Sequence, residues 1–229
     1  MIQKYKTLSS LWFSDQTLLV LLVLLLVRLF VIQPLAELGY LRPVFVGVFF
    51  SLILLSGFLA VFRTGVGATI GGGFAGAVLL ILWARHLHFG HHLFLVEKIL
   101  VLAFLGTLAY MVLTLVFREG PITIFRVEGA IVVYLLLGVM WSTAYVMVEL
   151  VSPGAFQFRT PYQDIHALES KLIYFSMVTL STVGYGDITP LHPAGRALAQ
   201  LEALTGQLFP AILIARLVSM ELQFRKPKK

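Results

Sequence analysis

Leu172-Ile173-Tyr174-Phe175-Ser176-Met177-Val178-Thr179-Leu180-Ser181-Thr182-Val183-Gly184-Tyr185-Gly186-Asp187 is the stretch that decides the fold. Its opening run, 172–180, is apolar but too short to cross a bilayer, which takes about 20 helical residues. The residues that follow break any helix, with Gly184 and Gly186 set one residue apart. Glycine takes positive φ at little steric cost, so such a loop can aim successive backbone carbonyls the same way, which ordinary residues resist. Non-helical backbone at membrane depth survives only inside protein or along a watery cavity. The stretch therefore reads as a re-entrant helix and loop, enclosed by a larger membrane assembly.

The surroundings fit that reading. Of the 229 residues, 59% are hydrophobic and only 12% charged, about half the charged share of soluble globular chains. The apolar residues come in blocks long enough to span a bilayer. Six spans are expected, near Leu18–Ala36, Val44–Phe62, Val66–Trp83, Leu95–Phe117, Val127–Leu150 and Ala197–Met220. Lys4 and Lys6 give a basic start without a small-residue cleavage site after the first apolar run, so that run reads as a retained span. Gln33-Pro34, Arg42-Pro43, Arg63-Thr64-Gly65, Arg85 to His92 and Arg118-Glu119-Gly120-Pro121 punctuate the spans. Ser152 to Glu169 forms a longer polar stretch before the re-entrant run. The chain contains no cysteine, which excludes disulfides and thiolate metal sites.

Six spans put both termini on one side. With the termini cytoplasmic, that side holds Lys4, Lys6, Arg63, Arg118, Arg126, Arg225, Lys226, Lys228 and Lys229, against Arg42, Arg85, Arg159 and Lys171 opposite. This is the positive-inside bias, and it makes the chain a multi-pass cell-membrane protein with the 152–193 loop outside. It also accounts for the net charge of +6 without nucleic acid, for which no basic surface or aromatic-basic module is present. Residues 1–120 hold four helices. Residues 121–229 hold a helix, the re-entrant loop and a last helix.

Thr182-Val183-Gly184-Tyr185-Gly186-Asp187 is identical to the filter sequence of potassium channels, and Ile173 to Ser181 resembles their pore helix. Gly129 to Gly138 and Gly206 to Val218 resemble the corresponding helices of small bacterial six-helix members of that family. The resemblance covers 121–229 well; 1–120 match only in helix count. It implies an all-α membrane protein with six transmembrane helices, a re-entrant pore helix and a selectivity-filter loop, assembled as a tetrameric channel. The backbone carbonyls of Thr182, Val183, Gly184 and Tyr185, with the Thr182 hydroxyl at the inner end, would replace the water of a potassium ion. Gly186 completes the loop, and Val183 and Tyr185 would pack it from behind. One loop per chain against four per pore implies a homotetramer of cyclic symmetry. Its surroundings are membrane lipid and its permeant ion is K+; no cofactor is implied. Family members often carry tryptophan where this chain has Tyr174 or Phe175, and many bond that aromatic to the filter aspartate, here Asp187. Tyr174 still carries a hydroxyl able to donate to it.

Other residues draw attention. Gly206 falls in the last span, followed by Pro210, where channel inner helices bend. A gating hinge and a close helix contact weigh equally, since both use the missing side chain. Glu202, one turn earlier, is an ionisable group in an apolar span, expected behind the filter or at the cavity rim. The bland reading is a protonated, hydrogen-bonded packing residue. Gln207 is placed to face the cavity. Arg28 in the first span either pairs with Glu97 or extends to the interface. Gly67, Gly71-Gly72-Gly73 and Gly76 read as close helix packing, because no strand precedes them and no lysine follows as in a phosphate loop. His86, His88, His91 and His92 crowd one loop, but no carboxylate or cysteine completes a metal set.

The preferred reading is passive conduction through a potassium-selective homotetramer. The alternative is a K+-transport subunit of a coupled uptake system, whose chains usually carry several degenerate loops. An intramembrane hydrolase would need a dyad within the spans, and Ser142, Ser176 and Ser181 have no in-span histidine, so no enzyme is expected. The fourth span lacks the arginine ladder of voltage sensors, so voltage dependence is expected to be weak. About nine residues follow Met220, too few for a ligand-binding domain; a separate regulatory subunit stays open.

Overall fold

The computed structural model describes residues 17–61, 92–118 and 123–225, with positions 73, 76, 77, 79 and 80 between them. The described residues are all-α apart from two three-residue strands. Helix α1 runs Thr17–Glu37 and contains a π-helical turn at Arg28–Ile32 just before Pro34. Proline lacks the N–H that the ladder needs, and a π turn is one way to absorb such a break. Helix α2 is Pro43–Val61, α3 His92–Val116, α4 Ile124–Val151, α5 Ile165–Leu180 and α6 Pro193–Arg225. Strand β1 is Phe156–Phe158 and β2 is Ile188–Pro190.

Four of these helices are long and apolar enough to cross a membrane: Thr17–Glu37, Phe94–Val116, Ile124–Val151 and Pro193–Met220; Val44–Leu59 is a shorter apolar helix. The chain is thus a multi-pass membrane protein. Most of the expected third span, 66–83, and most of the histidine loop lie outside the described residues. The glycines there that are described, Gly73 and Gly76, would meet nothing within 4 Å among the described residues if a Cβ were added. A close helix contact that the sequence reading did not name occurs at Gly57, where a Cβ would come within 2.6 Å of Leu108 in α3.

Two compact units are present. One gathers described residues from 17–61, 106–118 and 123–133. Within it Arg28 is buried, with its guanidinium 5.2 Å from the centre of the Phe50 ring, a cation–π distance. The other unit gathers 92–105 and 134–225. Its core is built from Tyr145, Val146, Ala155, Phe156, Leu168, Leu172, Phe175 and Ile188. Three of its rings meet edge-to-face: Tyr145 lies 5.1 Å from Phe175 and 5.4 Å from Phe156.

Helix α5 starts earlier than its apolar run suggests. Asp164 caps it, accepting from the Ala167 N–H at 2.8 Å, so Ile165 to Lys171 are helical rather than part of the polar connection. Even so its 16 residues reach only about 24 Å, short of a ~30 Å hydrocarbon core. Before it, β1 pairs antiparallel with β2, Phe156 opposite Pro190 and Phe158 opposite Ile188. That ribbon was not legible as strands.

Candidate functional site

The helix α5 ends in a capping arrangement that launches the 182–187 segment. The Val183 N–H donates to Val178 O at 3.0 Å, and the Thr182 N–H to Thr179 O at 2.9 Å. These are the paired bonds of a Schellman cap, which needs a left-handed residue after the helix. Thr182 supplies it, with φ +60. A β-branched residue there is strained, and Thr182 is the sole non-glycine with positive φ among the described residues. Gly184 at φ +59 and Gly186 at φ +76 follow. Left-handed backbone thus recurs at every second residue through 182, 184 and 186. Between them Val183 is 52% exposed and Tyr185 70%.

The outer end is tied to the ribbon. The Arg159 N–H donates to the Asp187 carbonyl at 3.1 Å, directly beyond the Phe158–Ile188 pair. Gln157, Arg159, Tyr185, Gly186, Asp187 and Thr189 line an open cavity of about 450 Å³. Glu149, buried near the end of α4, holds the start of the ribbon. Its carboxylate accepts from the Gly154 N–H at 2.9 Å, the Phe156 N–H at 3.1 Å and the Tyr162 hydroxyl at 3.1 Å. Burial, then the bond to Glu149 and its charge, push the Tyr162 hydroxyl above its ordinary value. Nothing in the sequence singled out Glu149; an acidic residue ahead of a Ser-Pro-Gly turn is the signal that was there.

Behind the segment lies Glu202. It is fully buried, accepts from the Tyr145 hydroxyl, and lies 2.5 Å from Ser176 Oγ. Those partners come from α4 and α5, so three helices meet at this carboxyl. Sequence reasoning placed Glu202 behind the loop or at the cavity rim and did not name Tyr145 and Ser176 as its partners. A carboxyl alone in an apolar span needs donors on facing helices, which was the available clue. One turn later, Gly206 packs against α5 so closely that a Cβ would stand 1.8 Å from Leu180 O. The same carbonyl accepts from the Tyr134 hydroxyl at 3.1 Å. Of the two readings of Gly206, the close contact is the one this geometry supports. Gln207 is exposed and Pro210 half-buried within α6. Phe175 belongs to the aromatic core, while Tyr174 is exposed on α5.

A further polar group joins α3 to α5. Lys98 pairs with Glu97 at 3.2 Å and with Glu169, and His166 Nδ1 lies 3.7 Å from Glu169. Among the described residues no three His, Cys, Asp or Glu side chains are grouped to hold a metal.

Residues 133–223 match the family model described as ion channel. Protein LctB of Bacillus caldotenax is 43% identical over 56 residues, 24% of this chain and 41% of that protein. Two pore potassium channel c of Oryza sativa subsp. japonica is 36% identical over 93 residues, 41% of this chain and 18% of that protein. The inward rectifier potassium channel Kirbac3.1 of Paramagnetospirillum magnetotacticum is 29% identical over 96 residues, 40% of this chain and 27% of that protein. The chain thus spans less than half the length of each of these relatives. No solved structure matches. The matched segment holds α5, the left-handed run at 182–186 and α6, so residues 133–223, less than half of the chain, are similar to ion channels and to segments of potassium channels.

Proposed function

We propose that the chain is one of four identical subunits of a potassium-selective channel, with Thr182 to Gly186 as its filter. The observation that carries this reading is the recurrence of positive φ at 182, 184 and 186 in a segment of filter sequence. Reversing the backbone hand at every second residue is how a short loop turns successive carbonyls to one side. Carbonyls so aligned can take over the hydration shell of a potassium ion. The short reach of α5 supports it, since a helix that stops inside the membrane leaves its loop at mid-depth.

The tetramer follows from what one chain leaves uncovered. Val183 and Tyr185 are exposed on irregular backbone, which lipid does not tolerate. Three further copies around an axis would enclose them. In this reading residues 1–120 form a peripheral four-helix part and 121–229 the pore part. Both termini are cytoplasmic, in the cell membrane. Conduction is passive, and its dependence on voltage weak.

Reversal potentials of the purified protein in lipid, under opposed potassium and sodium gradients, test the proposal. Potassium and rubidium should permeate well and sodium poorly. Equal permeability of potassium and sodium would overturn it.

A further inference from the structure

The carboxyl of Glu202 sits in a network that lacks one proton. Three contacts meet there. The Tyr145 hydroxyl bonds Glu202 Oε2, Ser176 Oγ lies 2.5 Å from Glu202 Oε1, and Ser176 Oγ lies 2.7 Å from the Gly138 carbonyl. Tyr145 and Ser176 carry one hydroxyl proton each, and the carbonyl carries none. If Ser176 donates to Gly138, its contact with Glu202 needs a proton from the carboxyl. If Ser176 instead donates to Glu202, then Ser176 Oγ and Gly138 O face each other as two acceptors at 2.7 Å. Tyr145, Ser176 and Glu202 are all fully buried, so water does not supply the missing proton. An ionised carboxyl there would also be a buried charge facing only hydroxyls.

We propose that Glu202 is a proton-bearing positioning residue. Its carboxylic O–H donates to Ser176 Oγ, Ser176 donates to Gly138 O, and Tyr145 donates to the second carboxyl oxygen. Every donor then has an acceptor, and α4, α5 and α6 are locked in one register. The lock lies where it matters for the pore, and that clause rests on the proposed function. Ser176 is one turn before Leu180, Glu202 one turn before Gly206, and Gly206 packs on the Leu180 carbonyl. Helix α6 therefore grips α5 at two successive turns immediately before Thr182.

The relay makes glutamine the matching substitute. Its amide N–H replaces the acid O–H toward Ser176, and its carbonyl still accepts from Tyr145. Full-length wild type, Glu202→Gln, Glu202→Ala and Ser176→Ala would be compared in lipid at neutral pH. Infrared spectra should show a protonated-carboxyl C=O band in wild type that is missing from Glu202→Gln and displaced in Ser176→Ala. Glu202→Gln leaves only its second amide N–H without an acceptor, so it should unfold closer to wild type than Glu202→Ala does and keep potassium flux within about twofold. Glu202→Ala should lower flux about tenfold, the worth of one stranded hydrogen bond. A wild type without the band overturns the proposal. So does a Glu202→Gln chain that fails to fold or behaves as Glu202→Ala. If the band and the glutamine tolerance of the unfolding temperature hold while wild type shows no potassium selectivity, the relay stands and the channel reading falls.

Discussion

Replacing Gly206 with alanine separates a hinge from a packing contact. In a helix interior that change is ordinarily favourable by about 0.5–1 kcal/mol, because alanine loses less backbone freedom. A pure hinge position would show that gain together with altered opening. Here the added methyl would sit 1.8 Å from Leu180 O, 2.7 Å from Leu180 C and 3.1 Å from Leu180 Cα, where ordinary contact begins at 3.4 Å. The obstacle is backbone, so no side chain can swing away. Leu180 O is also held by the Tyr134 hydroxyl, and the next residues form the Schellman cap. To reach ordinary contact, α6 and the end of α5 must part by about 1.6 Å.

Overpacking of a filled site costs about 1–3 kcal/mol, and an immovable obstacle belongs to the upper part of that range. Set against the alanine gain, a net loss of about 2 kcal/mol per chain remains. For a chain of this size that lowers the unfolding midpoint by about 4–8 °C. Tryptophan fluorescence during heating of the purified protein in detergent measures it, since Trp141 lies in α4. A Gly206→Ala protein as stable as wild type, or more so, with changed open probability would refute the packing argument and restore the hinge.

Gly184→Ala and Gly186→Ala place a Cβ on left-handed backbone at φ +59 and +76, a cost of roughly 1–2 kcal/mol per chain; reversal potentials should show conduction or potassium preference lost. Glu149→Ala strands the N–H groups of Gly154 and Phe156 and the Tyr162 hydroxyl, and should lower the unfolding midpoint by more than Glu149→Gln, which keeps an acceptor. The raised Tyr162 value contributes stability below about pH 10 that is lost as pH rises through the raised value; ultraviolet titration of Glu149→Gln should find that window narrowed. Helix α3 carries Glu97 and Lys98 near its start and no charge from Ile99 to Val116, so the slope of open probability against voltage should correspond to fewer than about two gating charges per tetramer, against three to four per subunit in a working sensor; a steep slope abolished by neutralising Arg28 or Arg118 would overturn this.

What was legible in the sequence was whatever a single residue forces on its own backbone or on lipid. Long apolar runs marked α1, α3, α4 and α6 within a few residues at most ends. The Gly-x-Gly spacing marked the left-handed run at 184 and 186, and the isolated Glu202 marked a buried polar site. What escaped depends on partners distant in the chain. The β1–β2 ribbon is three residues on each side, too short for a period-two pattern, and it exists because Phe156 joins the Tyr145–Phe175 core. The first two turns of α5 are polar and looked like loop, yet Asp164 caps them. Thr182 is a poor residue for left-handed backbone by propensity, and only the cap it closes puts it there. Nothing local to Lys98 points to its partner, because its bond to Glu169 spans 71 residues of sequence.

The two long helices on either side of α5, α4 and α6, differ in a way that bears on the proposed assembly. Both are apolar spans, yet 56% of the α4 window is buried inside the chain against 11% of the α6 window. Leu201, Leu204, Leu208, Ile212, Ile214 and Val218 of α6 are all exposed. An outer helix that met lipid would need no more cover than this. The 182–187 segment beside α6 does need more, because its irregular backbone cannot face hydrocarbon. Among the described residues, the chain itself shapes that segment through the cap at its inner end, the ribbon at its outer end, Glu149 behind the ribbon and Glu202 behind the helix. What the chain leaves open is the side on which Val183 and Tyr185 stand. In the proposed tetramer, local geometry is fixed by one subunit while enclosure is left to the others, and substitutions at Glu149, Glu202 or Gly206 should weaken each chain before they weaken its assembly. Substitutions of Val183 or Tyr185 should do the reverse, lowering the fraction of tetramer in mass measurements while each chain's own unfolding is little changed.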